Sequence, residues 1–309
     1  MTTLLYTHAS FGAHEVPPGH VEHPGRYAAV EKALQAPDFA ALECRVPPRA
    51  SAAQVELVHP ARFRELIEEN APSEGLAQFD ADTFAGPNSL DASLRAAGGA
   101  CAAVDALFKG EAKNAFVAAR PPGHHAEPER AMGFCLFNGA AIAALHARAA
   151  HGAKRVAVVD FDVHHGNGTE AAFWHDENAF YASSHQWPQY PGTGRATDRG
   201  AFDNIANAPI SGGEGSLAFR RAWGETLLPA LSDFGPELIV VSAGFDAHRA
   251  DPLGGLELTE EDFAWVTAEI AAVARDKAQG RIVSLLEGGY DLKALADSAA
   301  AHVRALMAA

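Results

Sequence analysis

Short runs of β-branched residues alternate with alanine- and leucine-rich stretches along most of this chain. Five of the runs are predicted to be buried strands: NAFVAAR, RVAVVDFDV, AFYASS, ELIVVSAGFDA and RIVSLLEGGY. The stretches around them are predicted to form helices at residues 94–108, 138–151, 217–233, 260–278 and from about 292 onward. Apolar strands that alternate with helices form a parallel sheet with both faces covered. The pattern predicts an α/β fold whose central, mostly parallel sheet is flanked by helices on both faces.

The chain shows no sign of division into parts. Its 309 residues contain no internal repeat, no low-complexity tract and no composition shift that resembles a linker. We therefore expect one domain over residues 1–309. Three long polar segments interrupt the pattern, and the longest runs from SSHQWPQY to SGGEGS. Loops of that length in a compact domain are usually functional, so we expect a site near them.

Charge and cysteine content exclude several classes of partner and site. The formal net charge is −15, which disfavours binding to nucleic acid or to an anionic membrane. The three cysteines are far apart in the sequence and suggest neither a disulfide framework nor a Cys-x-x-Cys metal site. The first residues, MTTLLYTHASFG, lack a secretory signal, and no apolar run reaches the length of a membrane span. These features predict a cytoplasmic protein.

Four polar motifs follow directly after four of the predicted strands. They are RPPGHH, DFDVHHGNG, GFDAHRADP and EGGYD. In an open α/β sheet, ligands bind outside the carboxyl ends of the strands. We therefore expect these motifs to meet at one edge of the sheet and to form one site.

The motif DFDVHHGNG carries the pattern of a metal site. If the strand continues through it, Asp160, Asp162 and His164 project from one face. A single aspartate there is more often a cap of the following helix, but buried carboxylates are costly unless they are paired or bound to a metal. Asp246 ends another apolar run. We predict Asp162, His164 and Asp246 as ligands of Zn²⁺, with Fe²⁺ as an alternative.

Two histidines and a tyrosine complete the predicted chemistry. Tandem histidines in a Pro/Gly loop are usually surface residues, but beside a metal His124 and His125 can transfer protons. Tyr290 follows two glycines and can donate a hydrogen bond to a carbonyl oxygen, although a tyrosine that packs at a helix start fits equally well. His165 is expected to point away from His164 and to make a structural hydrogen bond. Together these residues predict metal-assisted hydrolysis of an amide.

The ordered motifs resemble the histone deacetylase superfamily, which includes the acetylpolyamine amidohydrolases. The resemblance covers residues 119–292 through RPPGHH, GFCLFN, DFDVHHGNGT, GFDAHRADPLGG and LEGGYDL. It implies an arginase/deacetylase-like fold and a zinc ion on the three predicted ligands. It also implies that His125 is the general base and then the acid, with His124 as its electrostatic partner. Tyr290 would polarise the carbonyl, and Asp160 would hydrogen-bond His124.

The resemblance further implies a substrate tunnel and a structural K⁺ ion. The tunnel residues would be Gly133, Phe134, Tyr190 and, at the rim, Leu253. The potassium residues would be Asp160, Asp162, His164, Ser183 and Ser184. Two positions depart from the common pattern. Asn167 stands where many members carry Asp, which predicts a more weakly oriented base, and Tyr190 adds a hydroxyl to a wall that is usually phenylalanine.

The expected function is zinc-dependent removal of acetyl or other acyl groups from acyl-lysine side chains, with water activated by the metal. The alternative is an acetylpolyamine or other small-molecule amidohydrolase, and Leu253 favours acyl-lysine over it. An arginase-like enzyme with two metals is disfavoured, because Gly166 and His248 stand where it needs carboxylates. A binding module without activity is also disfavoured, because no expected site residue is missing. The substrate, the preferred acyl length, the native metal and the oligomeric state stay open.

The amino-terminal segment contains four histidines, His8, His14, His20 and His23, and the motif HPGRY. We expect these histidines to be solvated, since histidines in polar loops usually are. The resemblance implies that Arg26 lines an internal channel behind the metal.

Overall fold

A computed structural model describes residues 2–309 of the chain. Its ten strands are β1 Thr3–Tyr6, β2 Glu43–Arg45, β3 Ala77–Gln78, β4 Phe84–Ala85, β5 Asn114–Val117, β6 Val156–Asp160, β7 Ala179–Gln186, β8 Ile205–Ile210, β9 Leu238–Ala243 and β10 Ile282–Leu286. Eight of them form one sheet in the order β2-β1-β5-β10-β9-β6-β7-β8, and every neighbouring pair is parallel. The short strands β3 and β4 form a separate antiparallel pair. The predicted α/β fold is confirmed.

Helices cover both faces of the large sheet. They are α1 Ser10–Ala13, α2 Gly25–Ala33, α3 Ala52–Val55, α4 Ala61–Glu69, α5 Ser89–Phe108, α6 Gly139–His151, α7 Asn167–Phe173, α8 Ser216–Ala222, α9 Leu228–Phe234, α10 Glu260–Lys277 and α11 Leu292–Met307. Pro37–Phe39 forms a 3₁₀ turn, and Trp223–Leu227 forms a π turn between α8 and α9. No helix within residues 2–309 combines the length and the apolar character that a membrane crossing requires.

The alternation of side chains along the strands divides the core into two layers. On β6, Val156 and Val158 pack with α5 and α6, whereas Ala157 and Val159 pack on the opposite side with α10 and α11. All four residues are completely buried. A strand that is buried on both faces reads as a continuous apolar run, which is why the sequence pattern identified β5, β6, β9 and β10.

Most predicted helices are present, but some elements were missed. The helix predicted at residues 217–233 is divided by the π turn into α8 and α9. The long segment predicted as a polar loop contains the edge strand β8, and the strands β1 and β2 were not predicted. The strands β2 and β8 lie at the two edges of the sheet, and β1 lies between β2 and β5. With four and three residues, β1 and β2 are too short for a clear periodic signal.

A buried histidine makes the fold sensitive to acid. His302 on α11 is completely buried between Thr267 and Ser284, and burial lowers its pKa to about 3. In the unfolded chain a histidine has a pKa of about 6.5. Because the folded pKa is lower, the contribution to stability is complete above about pH 6.5 and is lost as the pH falls toward 3.

We expect the free energy of unfolding to fall steeply between pH 6.5 and pH 4. The variant His302→Gln should lower the slope by up to about 1.4 kcal/mol per pH unit, because one proton fewer is taken up on unfolding. Denaturant unfolding at several pH values measures this slope. His175→Gln, which changes an exposed histidine, is the control. An unchanged slope in His302→Gln would show that His302 does not bind the proton on unfolding.

Candidate metal centre and active site

The four predicted motifs meet at the carboxyl edge of the sheet. The strands that precede them, β5, β10, β9 and β6, are neighbours in that order. Because all four run in the same direction, the loops that follow them lie side by side. The position predicted from the sequence is therefore the position of the site.

The local structure after β6 differs from the prediction. The strand ends at Asp160 and does not continue to His164, so the predicted strand face is wrong. Asp160 Oδ1 accepts a hydrogen bond from the backbone N–H of Asp162 (3.1 Å), and Asp162 Oδ1 accepts one from the backbone N–H of His164 (2.9 Å). An aspartate that bonds the backbone two residues ahead forms a turn. These turns bring Asp162 and His164 together.

Asp162, His164 and Asp246 form a buried cluster with the character of a metal site. One ligand atom from each lies within 4.8 Å of the others, and all three residues are at least nine-tenths buried. His164 Nδ1 lies 3.2 Å from Asp162 Oδ1 and 3.1 Å from Asp246 Oδ2. Two carboxylates and one imidazole with further positions open are a donor set that suits catalytic Zn²⁺ or Fe²⁺.

The charges in this cluster also favour a cation. Burial alone would lower the pKa of His164, but its hydrogen bonds with Asp162 and Asp246 raise it to about 10. Burial and the charge of Asp162 raise the pKa of Asp246. The two carboxylates therefore need a shared positive charge, either a proton on His164 or a metal ion.

Two glycines leave space for these carboxylates. A Cβ atom on Gly288 would lie 2.0 Å from Asp246 Oδ2, and a Cβ atom on Gly244 would lie 2.0 Å from Asp162 Oδ2. The Gly288 N–H also donates to Asp162 Oδ2 at 2.8 Å. Any larger residue at these positions would displace the carboxylates, so the glycines of the SAGF and EGGY motifs shape the cluster.

His124 and His125 lie next to the cluster, with ring centroids 4.0 Å apart. His124 Nδ1 is 2.9 Å from Asp160 Oδ2. Burial alone would lower the pKa of His124, but the charges of Asp162 and Asp160 raise it well above its usual value. Burial and the neighbouring His124 lower the pKa of His125 well below its usual value. The two imidazoles therefore differ in protonation, and His125 is the neutral one.

Asn167 orients the ring of His125. His125 Nδ1 lies 2.9 Å from Asn167 Oδ1, and Asn167 Nδ2 donates to Glu127 Oε1 at 2.7 Å. Because Glu127 accepts a hydrogen bond from the amide nitrogen of Asn167, the amide oxygen of Asn167 faces His125. That oxygen can only accept, so Nδ1 of His125 carries the proton. The free Nε2 is then the basic atom. The prediction of a weakly oriented base did not anticipate Glu127.

Tyr290 is held beside the cluster by its backbone and its ring. Its N–H donates to Asp251 Oδ2 at 2.6 Å, and the guanidinium of Arg26 lies 4.8 Å from the centre of its ring. Burial raises the pKa of Tyr290 well above its usual value, against the opposing charge of Arg26. The phenol is therefore protonated at neutral pH and can donate a hydrogen bond.

Phe134 and Tyr190 flank the approach to the cluster. The Phe134 ring lies 5.9 Å from the ring of Tyr290, and the Tyr190 ring lies 5.1 Å from that of His125. Tyr190 is 38% exposed, so solvent reaches the part of the site where Tyr190 lies. Gly133 packs against His125, and a Cβ atom there would lie 2.5 Å from the imidazole. The backbone of Phe134 has φ 69°, a strained conformation that is typical of functional sites.

Leu253 and two acidic residues that sequence analysis did not identify lie close to the segments that carry Tyr190 and Phe134. Leu253 is half-buried, and its N–H donates to Asp251 Oδ1 at 2.9 Å. Asp80 and Asp82 belong to the turn that ends at Thr83, whose hydroxyl accepts a hydrogen bond from the Phe134 N–H at 3.0 Å. Burial and the bond with Asp80 raise the pKa of Asp82 to about 6. The surroundings of Phe134 and Tyr190 therefore combine an apolar side chain with acidic groups.

A buried ion network lies behind Tyr290. Glu22 is completely buried and accepts hydrogen bonds from Arg26 (2.8 Å) and Arg120 (2.8 Å). Its Oε2 atom also lies 3.3 Å from His14 Nε2. His14 is buried, so the prediction that it is solvated is wrong, because it pairs with Glu22 and Ser89. Arg26 also donates to the carbonyl of Gly289 at 2.6 Å.

The residues predicted to hold potassium lie at the end of β6, just after it, and on the neighbouring strand β7. Ser183 pairs with Asp160 across β6 and β7, and its hydroxyl bonds His185 Nδ1 at 2.9 Å. The hydroxyl of Ser184 points to the opposite face, where it accepts from Trp223 Nε1 at 2.9 Å. His165 bonds Thr193 and Glu170. The two serine hydroxyls face opposite sides of the sheet.

The chain matches the profile of the histone deacetylase domain over residues 20–306. It is 41% identical to "Histone deacetylase 14, chloroplastic" of Arabidopsis thaliana over 79% of this chain and 60% of that protein. It is 40% identical to "Histone deacetylase-like amidohydrolase" of Pseudomonas aeruginosa over 88% of this chain and 73% of that protein. The chain thus spans about three-fifths of the chloroplastic relative.

The fold is also shared with a solved structure. The crystal structure of the HDA15 HD domain superposes with a TM-score of 0.94 at 34% sequence identity, and the match covers 99% of this chain and 88% of that one. The agreement therefore extends over the whole sheet and over the loops that carry the site.

Proposed function

The chain belongs to the histone deacetylase domain family, and from this premise we propose that it is a zinc-dependent deacetylase that releases acyl groups from acyl-lysine side chains. One observation carries the proposal. The buried cluster of Asp162, His164 and Asp246 lies beside a neutral imidazole on His125 and a protonated phenol on Tyr290. These groups are the base and the hydrogen-bond donor that amide hydrolysis requires.

Each residue of the chain has a distinct role in this proposal. A zinc ion bound to the cluster would supply Lewis acidity toward the acyl carbonyl and toward water. His125 Nε2 accepts a proton as the carbon–oxygen bond forms, because its Nδ1 is already bonded to Asn167. His125 then returns the proton to the leaving amine as the carbon–nitrogen bond breaks. The Tyr290 hydroxyl donates to the carbonyl oxygen while negative charge develops on it.

His124 and Asp160 support the base electrostatically. The pair places a protonated imidazole 4.0 Å from the His125 ring, between centroids. A positive charge at this distance keeps His125 neutral until a developing negative charge on the substrate compensates it. We propose that His124 stays protonated throughout the reaction and that His125 alone transfers protons.

The side chains around the approach to the cluster favour a substrate that has a narrow alkyl chain and positive charge close to that chain. Phe134 and Tyr190 can hold an alkyl chain between their rings, and Leu253 at the rim is apolar. Asp80 and Asp82 favour positive charge near the entrance. A lysine side chain in a basic peptide fits both features. An acetylated polyamine also carries positive charge and is the second candidate.

The native metal, a second ion and the extent of the catalytic domain complete the proposal. The proposal includes zinc rather than iron as the catalytic metal, a potassium ion near Asp160, and one catalytic domain over residues 1–309. For potassium, the proposed residues are Asp160, Asp162, His164, Ser183 and Ser184. Binding to nucleic acid or to membranes is not expected from the net charge of −15. The cytoplasmic location stays a prediction, and two similar plant proteins are named as chloroplastic.

The experiment that tests the function compares three substrates with the zinc-loaded chain. They are an acetyl-lysine peptide, a longer acyl-lysine peptide and N-acetylputrescine. A higher kcat/KM for a lysine peptide than for N-acetylputrescine supports the proposal. The reverse order supports the second candidate, and no turnover of any of them with zinc bound contradicts both.

The Glu127–Asn167 contact predicts a further effect on catalysis. Removing the Glu127 carboxylate by Glu127→Ala frees the Asn167 amide to rotate, so that His125 loses its fixed orientation. We expect kcat to fall about tenfold while KM changes little, as for other partners that orient a catalytic imidazole. Glu129→Ala is a matched control, because Glu129 is an exposed neighbour that pairs with Arg62. Equal kcat values for the two variants would contradict this role of Glu127.

A further inference from the structure

A second group of metal-ligating side chains lies near the carboxyl ends of α5 and α6. His146 Nε2 and His151 Nε2, both on α6, approach the same atom, Asp105 Oδ1 on α5, at 2.9 Å and 2.7 Å. The side chains are 11%, 19% and 36% exposed, respectively, so dissolved ions can reach them. We propose that Asp105, His146 and His151 bind a divalent transition-metal ion such as Zn²⁺, at a site separate from the catalytic centre.

The location separates this group from the catalytic centre. Strand β5 begins shortly after α5 ends, and β6 begins shortly after α6 ends. The group therefore lies near the amino edge of the sheet, whereas Asp162, His164 and Asp246 lie beyond the carboxyl edge. The length of β6 alone places about 16 Å between these edges. An ion here cannot take part in the proposed hydrolysis.

The donor set fits a metal better than an ordinary ion pair. Two imidazole nitrogens that converge on one carboxylate oxygen form a two-histidine, one-carboxylate arrangement, which leaves coordination positions for water. Tetrahedral coordination with bonds of about 2.0 Å separates the ligand atoms by about 3.3 Å. Each nitrogen therefore needs to move only about 0.5 Å from the oxygen, which partly exposed side chains can do.

Two further features prepare the group for an ion. The ring of His151 stacks on Phe108, with centroids 4.8 Å apart, which restricts its rotation. Burial tends to raise the pKa of Asp105, but the hydrogen bonds from His151 and His146 lower it overall. The carboxylate is therefore ionised at neutral pH. No sequence motif indicates this site, because Asp105 is 46 residues from His151 and the two histidines are five residues apart.

A metal ion at this site would connect α5 to α6. Both helices cover the same face of the sheet, and the three ligands join them at the end of their contact. Binding to the folded chain alone raises the unfolding temperature, since the unfolded chain does not hold the ligands together. The unfolding temperature therefore reports binding of this ion without any measurement of deacetylation.

The test counts metal ions on the full chain. The chain and its variants are loaded with Co²⁺ or Zn²⁺, dialysed, and analysed for bound metal and for the visible absorption of Co²⁺. We expect two ions per wild-type chain, one in His146→Gln/His151→Gln, and two in the control His175→Gln. The catalytic-site variant Asp162→Ala/His164→Ala should retain one ion and the rise in unfolding temperature with added Zn²⁺.

Asp105→Asn provides a second test if the double histidine variant does not fold. The substitution keeps the shape of the side chain and an acceptor for both imidazoles, but it removes the negative charge. We expect the affinity of the second ion to fall at least tenfold. An ion count that is the same in the wild-type chain and in the folded His146→Gln/His151→Gln variant would overturn the proposal, whatever the count at the catalytic cluster.

Discussion

Asp246→Asn is expected to abolish most of the activity by removing a metal ligand. The carboxamide is neutral and is a weaker ligand than the carboxylate, and Asp246 is one of the three candidate ligands in the cluster. We expect kcat/KM on an acetyl-lysine peptide to fall at least about 10³-fold, since water activation and carbonyl polarisation both depend on the ion. Added zinc should also stabilise the variant less than the wild-type chain.

Zinc affinity is measured by competition with a chelator, and kcat/KM is measured at saturating zinc. Both are determined in the His146→Gln/His151→Gln background, so that only the catalytic site is counted. Asp176→Asn is the control, because Asp176 pairs with Arg148 at the surface. An Asp246→Asn variant that holds zinc as tightly as its parent would show that Asp246 is not a ligand.

Tyr290→Phe is expected to lower kcat about 10²- to 10³-fold, which is the usual effect of removing one donor to a developing oxyanion. The ring contacts with Phe134 and Arg26 do not need the hydroxyl, so the fold and the binding of substrate should change little. KM should therefore stay within a few-fold of its wild-type value. The measurement is steady-state kinetics together with zinc content and unfolding temperature.

Tyr27→Phe is a matched control for this substitution. Its hydroxyl is bonded to Thr7 and Glu31 away from the cluster, so its loss tests the removal of a phenol without affecting the site. We expect kcat in Tyr27→Phe to equal that of the wild-type chain. If Tyr290→Phe retained full kcat, the hydroxyl would not act on the carbonyl. If the Tyr290→Phe variant lost its zinc, Tyr290 would be needed to maintain the metal site and not to donate a hydrogen bond to the substrate.

The residues of the cluster were predicted from the sequence, although the local structure around them was not. Asp162 and His164 were chosen because a strand through Asp160 would place them on one face. The strand instead ends at Asp160, and hydrogen bonds from aspartate side chains to the backbone form turns. The prediction of position succeeded because apolar strands followed by polar residues indicate the carboxyl edge of a parallel sheet, whatever the turn after them.

The supporting groups could not be predicted from the pattern. Glu22 and Arg120 are 98 residues apart, and only the packed fold shows that they form a buried ion pair. Asp251 lies within the motif GFDAHRADP and Glu127 follows the motif RPPGHH, but their bonds to Tyr290 and Asn167 depend on the path of the loops. A charged residue next to a strand end is a weak signal, because most such residues are solvated.

The order of the strands also required the structure. The sequence predicts β5, β6, β9 and β10 individually, because each is buried on both faces and is therefore apolar throughout. That β10 lies between β5 and β9, which places the Tyr290 loop between the His124 loop and the Asp246 loop, follows only from long-range pairing. The short strands β1, β2 and β8 likewise depend on their neighbours.

Local periodicity and ordered motifs were enough to predict the fold class, the family and the candidate residues of the site. The tertiary structure alone decided which imidazole is neutral, how Asn167 is oriented by Glu127, and that Asp105 meets His146 and His151. Those properties depend on burial and on distances between residues that are far apart in the chain. Neither quantity is a property of any short stretch of sequence.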